Sequence, residues 1–443
     1  MKIWQTTDER FLPARLATCA SKWLVLCLLT GCAPTAIVDE PAACCRSEGG
    51  KVAEPHVAVD LDEKLIAVWA TVNDEGRANI VLSRSQGNVW ETPRCVQPGP
   101  LSAVAGRQVG PRVAVGPEGA VTVAWVDRAR DPAGDIYVSS SSNGGKTFYE
   151  ACRVNDDRAE MVGQEYHDLA ISSDGTVFVV WLDERGASAD YQNQKQVYFA
   201  LSKDGGRTFS RNEAVTSSPD GVCPCCRPGL ALGPGGSVHI VYRDRVDDTL
   251  FVRLITRHAG TQKFSPPVTL SRGWRFPGCP VNGPAVAAGA DGKVWALWVE
   301  GDDERLWWSR SDDRGVTFSE GQGVTPRGMT DGGALPPSWA MAARVALGAV
   351  PGRGAVAVWE GGRGKIWTAT LPAAGDKIEA PVHLAGSDDR MARSPAVAVS
   401  AGAVNVCWVE ETLASILDSS AAMSIGFPLY RQLPLGSSCR GSD

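Results

Sequence analysis

The stretch Pro111–Phe148 reads PRVAVGPEGAVTVAWVDRARDPAGDIYVSSSSNGGKTF, and variations of it recur along most of the chain. It contains three alternating runs rich in β-branched residues, RVAV, VTVAW and DIYVSSS, separated by turns with glycine, proline or charged residues. Runs of this length and alternation predict β-strands joined by hairpins. The stretch therefore predicts three antiparallel strands of a small sheet.

Two signatures from this stretch recur seven times along the 443 residues. Each unit begins a first strand with Pro or a substitute, a variable residue and an apolar run, at Pro55–Val57, Pro111–Val113, His167–Leu169, Pro228–Leu230, Pro284–Val286, Ala343–Val345 and Pro395–Val397. Each second strand ends on an aromatic residue: Trp69, Trp125, Trp181, Tyr242, Trp298, Trp359 and Trp408. A period of roughly 50 to 60 residues predicts an all-β propeller of four-stranded antiparallel blades. Seven blades are predicted, with six as the alternative, and the aromatic residues should fill the gaps between blades.

The third strand of several units ends in a turn with a shared spelling. Three good copies are present, at Ser141–Phe148, Ser202–Phe209 and Ser311–Phe318, with a degenerate copy at Ser83–Trp90. These turns resemble the Asp box, Ser-x-Asp-x-Gly-x-Thr-Trp/Phe, of the BNR repeats in sialidases and related propellers. In such a turn Asp or Asn binds nearby backbone amides and Gly supplies a positive φ. We interpret the Asp boxes as structural.

The first 31 residues predict an export leader. A positively charged start precedes the apolar run WLVLCLLT at Trp23–Thr30, which is too short for a membrane span and typical of a secretory signal. The run ends in Leu29-Thr30-Gly31-Cys32, which resembles the lipobox of bacterial lipoproteins. The resemblance implies an acylated Cys32 and an extracytoplasmic location, on the outer membrane in a Gram-negative cell. An ordinary signal peptide is the alternative.

These features predict four segments: a leader at 1–31, a linker at 32–54, the propeller at 55–434 and a tail at 435–443. A net charge of -6 without a basic stripe excludes a nucleic-acid partner. The sequence also lacks nucleophile-elbow, Walker A, dinucleotide and zincin motifs, so we expect no cofactor. We expect a monomer that meets the membrane only through its lipid.

The predicted topology places first-strand starts and the loops after second strands on one face, around the propeller axis. Polar and charged residues gather at both places in the sequence: His56, Arg112, His167, Asp168, Arg227, Arg344 and Arg393 at first strands, and Asp127, Asp183 and Arg185 after second strands. Two interpretations compete. Asp/Arg pairs could join neighbouring loops as surface salt bridges, or several guanidinium groups could converge on a ligand carboxylate.

The sialidase resemblance gives the second interpretation a specific form. Arg227-Pro228 is similar to the Arg-Ile-Pro motif of that family, although the residue between Arg and Pro is missing. The resemblance implies an arginine triad of Arg227, Arg344 and Arg393, and a Glu165–Tyr166 nucleophile pair. It also implies an acid at Asp127 or Asp183. Independently of the resemblance, we expect further ligand contacts from Arg112, His167, Asp168, Arg185 and Asn282 on the same face. The predicted function is recognition of an anionic glycan, with exo-sialidase activity as its enzymatic form. A non-catalytic binding propeller of the envelope is the alternative.

Cysteine supports a separate hypothesis. Thirteen cysteines are present, and ten remain after removal of Cys19 and Cys27 with the leader and acylation of Cys32. An even number in an exported protein predicts disulfides. The cluster Cys223, Cys225, Cys226 and Cys279 precedes first strands, and its soft thiolates would suit Cu(I) or Zn. Disulfides and a metal site both remain open from the sequence.

Overall fold

Seven antiparallel sheets account for the strands of this protein, and each sheet is built from strands that are consecutive in the chain. The computed structural model describes residues 51–72, 78–86, 89–96, 103–106, 108–158, 161–185, 194–275, 283–300, 305–324, 344–387, 389–412 and 428–435. The sheets are the blades of a β-propeller. The seven-blade prediction is therefore confirmed, and the six-blade alternative is wrong.

Blades 1 to 4 contain the first eighteen strands. Blade 1 comprises β1 (Lys51–Val59), β2 (Leu65–Val72), β3 (Ala78–Gln86), β4 (Val89–Trp90) and β5 (Arg94–Cys95). Blade 2 comprises β6 (Arg112–Val115), β7 (Val121–Asp127), β8 (Asp135–Ser141) and β9 (Cys152–Arg153). Blade 3 comprises β10 (Gln164–Ile171), β11 (Val177–Asp183), β12 (Gln196–Ser202) and β13 (Glu213–Ala214). Blade 4 comprises β14 (Gly229–Gly233), β15 (Ser237–Val246), β16 (Thr249–Arg257), β17 (Val268–Thr269) and β18 (Trp274–Arg275).

Blades 5 to 7 contain the remaining strands. Blade 5 comprises β19 (Ala285–Ala288), β20 (Val294–Val299), β21 (Leu306–Ser311) and β22 (Gln322–Gly323). Blade 6 comprises β23 (Val345–Val350), β24 (Gly354–Gly361), β25 (Lys365–Pro372) and β26 (Val382–Ala385). Blade 7 comprises β27 (Arg390–Val399), β28 (Ala403–Thr412) and β29 (Leu429–Pro434). Short 3-10 turns lie at Pro117–Gly119, Pro234–Gly236 and Gly362–Gly364. β1 begins before the predicted propeller start at Pro55.

The hydrophobic core is divided into seven clusters, one at each interface between neighbouring blades. Each cluster contains one of the recurring aromatic residues, Trp69, Trp125, Trp181, Tyr242, Trp298, Trp359 and Trp408. The second strands run one to four residues beyond these aromatics, so they do not end on them as predicted. Truncating a buried tryptophan to alanine costs about 3–5 kcal/mol in such a setting. The prediction that these side chains fill the gaps between blades is confirmed.

Blade 7 packs against blade 1 and closes the ring. Trp69 of blade 1 shares a cluster with Cys407 of blade 7. The indole Nε1 of Trp90 donates to the carbonyl oxygen of Pro428 at 2.9 Å. Radial packing of separate blades leaves only short sheet edges, which limits edge-to-edge aggregation.

The Asp boxes form the expected local hydrogen bonds. Ser202 Oγ donates to Asp204 Oδ1 at 2.6 Å and accepts from the Gly206 N–H at 2.8 Å, while Asp204 Oδ1 accepts from the Thr208 N–H at 2.9 Å. The same pattern occurs at Ser311–Thr317, and at Ser141–Thr147 with Asn143 in place of Asp. Every acceptor of the Asp side chain is thus used to hold its own turn, which supports the structural interpretation.

The part of the chain that the structure describes contains no helix with both the length and the apolar character of a membrane span.

Candidate functional site

A cavity of about 220 Å³ lies where the first strands of all seven blades meet. These first strands, β1, β6, β10, β14, β19, β23 and β27, pack against one another in a closed ring. The cavity is therefore on the propeller axis, where loops and strand ends on a rigid scaffold usually hold a ligand.

One equivalent position in each first strand lines the cavity, and its seven occupants are His56, Arg112, Asp168, Gly229, Ala285, Ala346 and Ala396. The occupants differ in size and charge around the ring. Blades 4 to 7 contribute glycine or alanine, so no large side chain of those blades fills the axis at this level. Blades 1, 2 and 3 contribute polar or charged groups, and Arg344 joins the wall from two residues before the blade 6 position. The cavity consequently has small residues on one part of its wall and charged residues on the rest.

The acceptor side chains of the wall bind the backbone of the next blade. Asp168 Oδ2 accepts from the Leu230 N–H of blade 4 at 3.0 Å. Glu54 Oε2 accepts from the Gly110 N–H at 2.8 Å, just before blade 2. A Cβ on Gly110 would lie 2.1 Å from the Glu54 Cβ, so the approach requires glycine. These bonds fix both carboxylates in place.

Three arginines line the cavity: Arg112, Arg227 and Arg344. Arg112 lies 3.7 Å from Asp168 Oδ1, and Arg344 forms an ion pair with Glu54. Arg227 donates to the backbone carbonyl of Gln108 at 3.5 Å, and it has no carboxylate within ion-pair distance among the described residues. The residues that line the wall thus include three guanidinium groups and two carboxylates, and only Arg227 lacks a carboxylate partner among the described residues.

Burial also shifts the pKa values of two side chains of the wall, His56 and Asp168. It lowers the pKa of His56 well below its usual value, with Arg112 and His167 adding to the effect, so the imidazole is neutral at pH 7. Burial raises the pKa of the Asp168 carboxyl, although Arg112 and two backbone amides oppose that shift. A carboxyl with a raised pKa can donate a proton more readily near neutral pH than an exposed aspartate can.

β-bulges reshape three of the first strands next to the cavity. The register shifts between Ala53 and His56 in β1, between Glu165 and Asp168 in β10, and between Arg393 and Ala396 in β27. A non-glycine residue adopts a positive φ in each bulge: 52° at Glu54, 58° at Tyr166 and 56° at Ser394. Such conformations cost about 1–3 kcal/mol each and cluster at functional sites. Glu54 and Ser394 line the cavity as a result.

The structure brings together four of the predicted ligand-binding residues, Arg112, Asp168, Arg227 and Arg344, around one cavity. It places the other three described candidates, Arg393, His167 and Arg185, elsewhere. Arg393 points toward Glu411, with Nε 3.3 Å from Glu411 Oε2. His167 is fully buried, and its Nε2 donates to the Ala124 carbonyl at 3.0 Å.

Arg185 forms salt bridges between loops, as the first of the two interpretations predicted. Its guanidinium lies 2.8 Å from Asp183 and 2.5 Å from Asp156, and its Cζ stacks 4.5 Å from the Tyr198 ring centroid. Asp183 also accepts from the Trp181 indole at 2.8 Å. Glu300 and Glu410 accept from the indoles of Trp298 and Trp408 in the same way. The contact between Asp183 and Trp181 is therefore a structural contact that recurs in other blades.

The remaining predicted catalytic residues lie outside the cavity wall. Glu165 pairs with Arg128 at 2.5 Å and with Lys195 at 3.5 Å. Lys195 Nζ also lies 5.3 Å from the centroid of the Tyr166 ring. Asp127 is fully buried and accepts from the Ala129 N–H at 2.8 Å. The predicted residues Asn282, Cys279 and Cys32 lie outside the described part of the chain.

Sequence reasoning placed His56 at the axis but missed Glu54 and Ser394 as wall residues, since Glu54 was assigned to the linker. The proline that follows Glu54 and Ser394 is the signal that could have marked the bulges, because Pro cannot donate to a ladder and is tolerated at such breaks.

The predicted cysteine cluster lies in the loop before β14. The Sγ atoms of Cys223, Cys225 and Cys226 all lie within 4.8 Å of one another. Cys95 is disulfide-bonded, whereas Cys152 and Cys407 carry free thiols.

Comparison with known proteins identifies one family. A model of the BNR repeat-like domain matches residues 63–320. No curated protein matches the chain. Among solved structures, the chain is similar to the Hadza microbial sialidase Hz136 (TM-score 0.47, 14% identity, covering 80% of this chain and 74% of that one). It is also similar to the GH93 α-L-arabinofuranosidase of Fusarium graminearum (TM-score 0.45, 13% identity, covering 84% of this chain and 92% of that one). A third similar structure is a PL25 ulvan lyase (TM-score 0.49, 12% identity, covering 84% of this chain and 93% of that one).

Proposed function

This chain belongs to the BNR repeat-like domain family, and on that premise we propose that its axial cavity binds the carboxylate of an acidic glycan. Terminal sialic acid is the specific ligand that we propose. Fold alone does not assign a ligand to a propeller, so the proposal rests on the charges in the cavity.

The single observation that carries the proposal is that Arg227 lines the cavity without a carboxylate partner among the described residues. The other two arginines of the wall already have carboxylate partners, Arg112 in Asp168 and Arg344 in Glu54. Arg227 lines the same cavity with only a long bond to the Gln108 carbonyl. A ligand carboxylate beside Arg227 would pair with its guanidinium through charge-assisted hydrogen bonds.

The size of the cavity favours one terminal sugar. Its volume is about 220 Å³. Pockets for drug-sized ligands are larger, at about 300–1,000 Å³. A single sugar ring with its carboxylate therefore suits the site better than an internal stretch of polysaccharide.

Hydrolysis of terminal sialosides is the enzymatic form of the proposal. Asp168 is the acid that we assign to it, because burial raises its pKa and its side chain remains 19% exposed at the cavity. Glu165 and Tyr166 lie outside the wall, so the proposal does not depend on them.

Recognition without turnover is the second candidate. Both carboxylates of the wall are already engaged by backbone amides and arginines. These contacts favour the ionised carboxylates and resist their use as proton donors. The cavity would then serve a binding module of the cell envelope.

The experiment combines a binding titration with a turnover assay on the purified protein. Sialyllactose is titrated calorimetrically beside lactose, and a fluorogenic sialoside reports hydrolysis. Removal of charge-assisted bonds costs about 1.5–3 kcal/mol, so Arg227→Ala should weaken sialyllactose binding roughly 10- to 150-fold. Arg272→Ala is the matched control, because Arg272 is 74% exposed in the same blade and pairs with Glu320 instead.

The outcomes separate the two candidates. Turnover that is lost in Arg227→Ala establishes a sialidase, whereas binding without turnover establishes a recognition module. If sialyllactose and free sialic acid both fail to bind, or if Arg227→Ala binds as well as the wild type, the acidic-glycan proposal is wrong.

A further inference from the structure

We propose that Cys223, Cys225 and Cys226 form a zinc site in the loop before β14. Cys223 Sγ lies 3.5 Å from Cys226 Sγ and 3.8 Å from Cys225 Sγ. Two thiolates bound to one zinc at about 2.3 Å each lie about 3.8 Å apart in tetrahedral geometry. The observed separations therefore fit one shared ion with little movement of the loop.

A disulfide fits the same geometry less well. Bonded sulfurs lie about 2.05 Å apart, so any pair in this cluster would have to approach much closer. One disulfide would also involve only two of the three cysteines. A soft metal ion binds all three sulfurs at once. The three Sγ atoms lie within 4.8 Å of one another, which suits such an ion.

The surroundings of the cluster are those of a structural metal site. Cys223 and Cys226 are 3% and 2% exposed, in a core cluster with Leu250 and Trp274. Burial from water and an all-sulfur donor set are typical of closed zinc sites, which stabilise a fold instead of activating a water.

Arg243 provides the charge that such a site requires. It is 1% exposed, its Nη1 donates to Cys226 Sγ at 2.9 Å, and its Cζ lies 5.0 Å from the Trp274 ring centroid. With a neutral fourth ligand, three thiolates, one Zn²⁺ and one guanidinium sum to zero, whereas Cu⁺ in place of Zn²⁺ would leave a buried negative charge. Since uncompensated buried charge is costly, the balance favours zinc.

Zinc normally takes a fourth ligand in addition to these three sulfurs. Cys279, which the sequence predicts as part of the site, lies outside the described residues. Binding converts each thiol to a thiolate and releases its proton, so up to three protons leave when the trio takes up one ion.

The site would anchor the loop that carries the cavity arginine. The Cys223 N–H donates to the Arg243 carbonyl of β15 at 2.9 Å, and Arg227 directly follows Cys226 in the chain. Bound zinc would thus hold the backbone next to Arg227 in place. The inference itself does not depend on the proposed glycan ligand, because metal binding is measured directly.

The test measures zinc in the purified full chain. Native mass spectrometry and elemental analysis should give one zinc per chain, and calorimetry after chelation should restore one equivalent. Cys223→Ser, Cys225→Ser and Cys226→Ser should each lower zinc affinity by at least about tenfold, the smallest loss typical of altered metal sites. Cys152→Ser is the matched control, because this free thiol lies in blade 2, and it should retain wild-type affinity.

A second measurement avoids variants that fold poorly. Wild-type protein is alkylated with and without zinc, and the modified cysteines are mapped by mass spectrometry. Zinc should protect the three cysteines of the loop and leave Cys152 as reactive as before. The proposal is overturned if a disulfide joins any two of the three cysteines and the reduced protein takes up no zinc. Retention of zinc in all three serine variants, or isolation with copper and no affinity for zinc, overturns it equally.

Discussion

Replacing His167 by glutamine should make the stability of the propeller less sensitive to acid. His167 lies in β10, fully buried, with its Nε2 donating to the Ala124 carbonyl of blade 2. Burial lowers the pKa of His167 to about 3, and the nearby Arg112 cation adds to this effect while the Ala124 bond opposes it. The folded protein therefore keeps this imidazole neutral over the mildly acidic range.

The sign and size of the effect follow from the two pKa values. An unfolded histidine titrates near 6.5, so below that pH the unfolded chain takes up a proton that the folded protein refuses. The stability from neutral His167 is complete above pH 6.5 and falls by about 1.36 kcal/mol per pH unit until about pH 3. At pH 4.5 the loss amounts to about 2.7 kcal/mol, or 2.0 units at that rate.

The assay is urea unfolding, followed by tryptophan fluorescence at several pH values between 7.5 and 4.5. His167→Gln keeps an N–H for the Ala124 carbonyl but cannot titrate. Its free energy of unfolding should be lower than that of the wild type at pH 7.5, yet should fall by about 2.7 kcal/mol less on going to pH 4.5. His239 and the other buried groups contribute to both proteins, so they cancel in the comparison.

The exposed His383 supplies the control, because His383→Gln removes a histidine that donates to the Ala385 carbonyl at the surface. This variant should retain the wild-type dependence on pH. Parallel pH curves for His167→Gln and the wild type would refute the reasoning, because they would mean that His167 does not resist protonation in the fold.

Two further predictions concern other parts of the chain. Asp183→Ala should lower the free energy of unfolding by about 3 kcal/mol, since it strips the buried Trp181 indole and Arg185 of their acceptor. Asp156→Ala removes a 41% exposed partner of the same Arg185 and should cost no more than about 1 kcal/mol, so equal losses in urea unfolding would contradict this account. Cys32→Ser should abolish labelling by a radioactive fatty acid and release the protein from membranes, if the lipobox resemblance is correct. Unchanged labelling would contradict the lipid anchor.

Much of the fold could be predicted because its determinants are local and repeated. Trp125 and its six counterparts each lie within a second strand, and each lies at an interface between blades. The Asp-box turns form hydrogen bonds within a few residues of chain, as at Ser202 and Asp204. Local patterns of this kind are readable in a sequence, and sevenfold repetition compensates for weakness in any one copy.

The candidate site was predicted only in part, because neighbouring residues in a strand face opposite sides. His167 and Asp168 are adjacent in the sequence, and both were predicted to bind ligand. The bulge in β10 sets two residues, Tyr166 and His167, against one residue of β11 and fixes which side chain faces the axis. Asp168 lines the cavity, while His167 is buried against β7. A one-residue shift in register reverses these assignments, and the sequence pattern did not reveal it.

The sequence by itself determined the seven blades and the aromatic residues that separate them. Only the tertiary structure decided which charges on that axis are already neutralised. Arg112 pairs with Asp168 of the next blade, Arg344 pairs with Glu54 from the opposite end of the propeller chain, and Arg227 has no carboxylate partner among the described residues. Pairing of charges depends on distances across the closed ring, and those distances exist only once all seven blades have packed together.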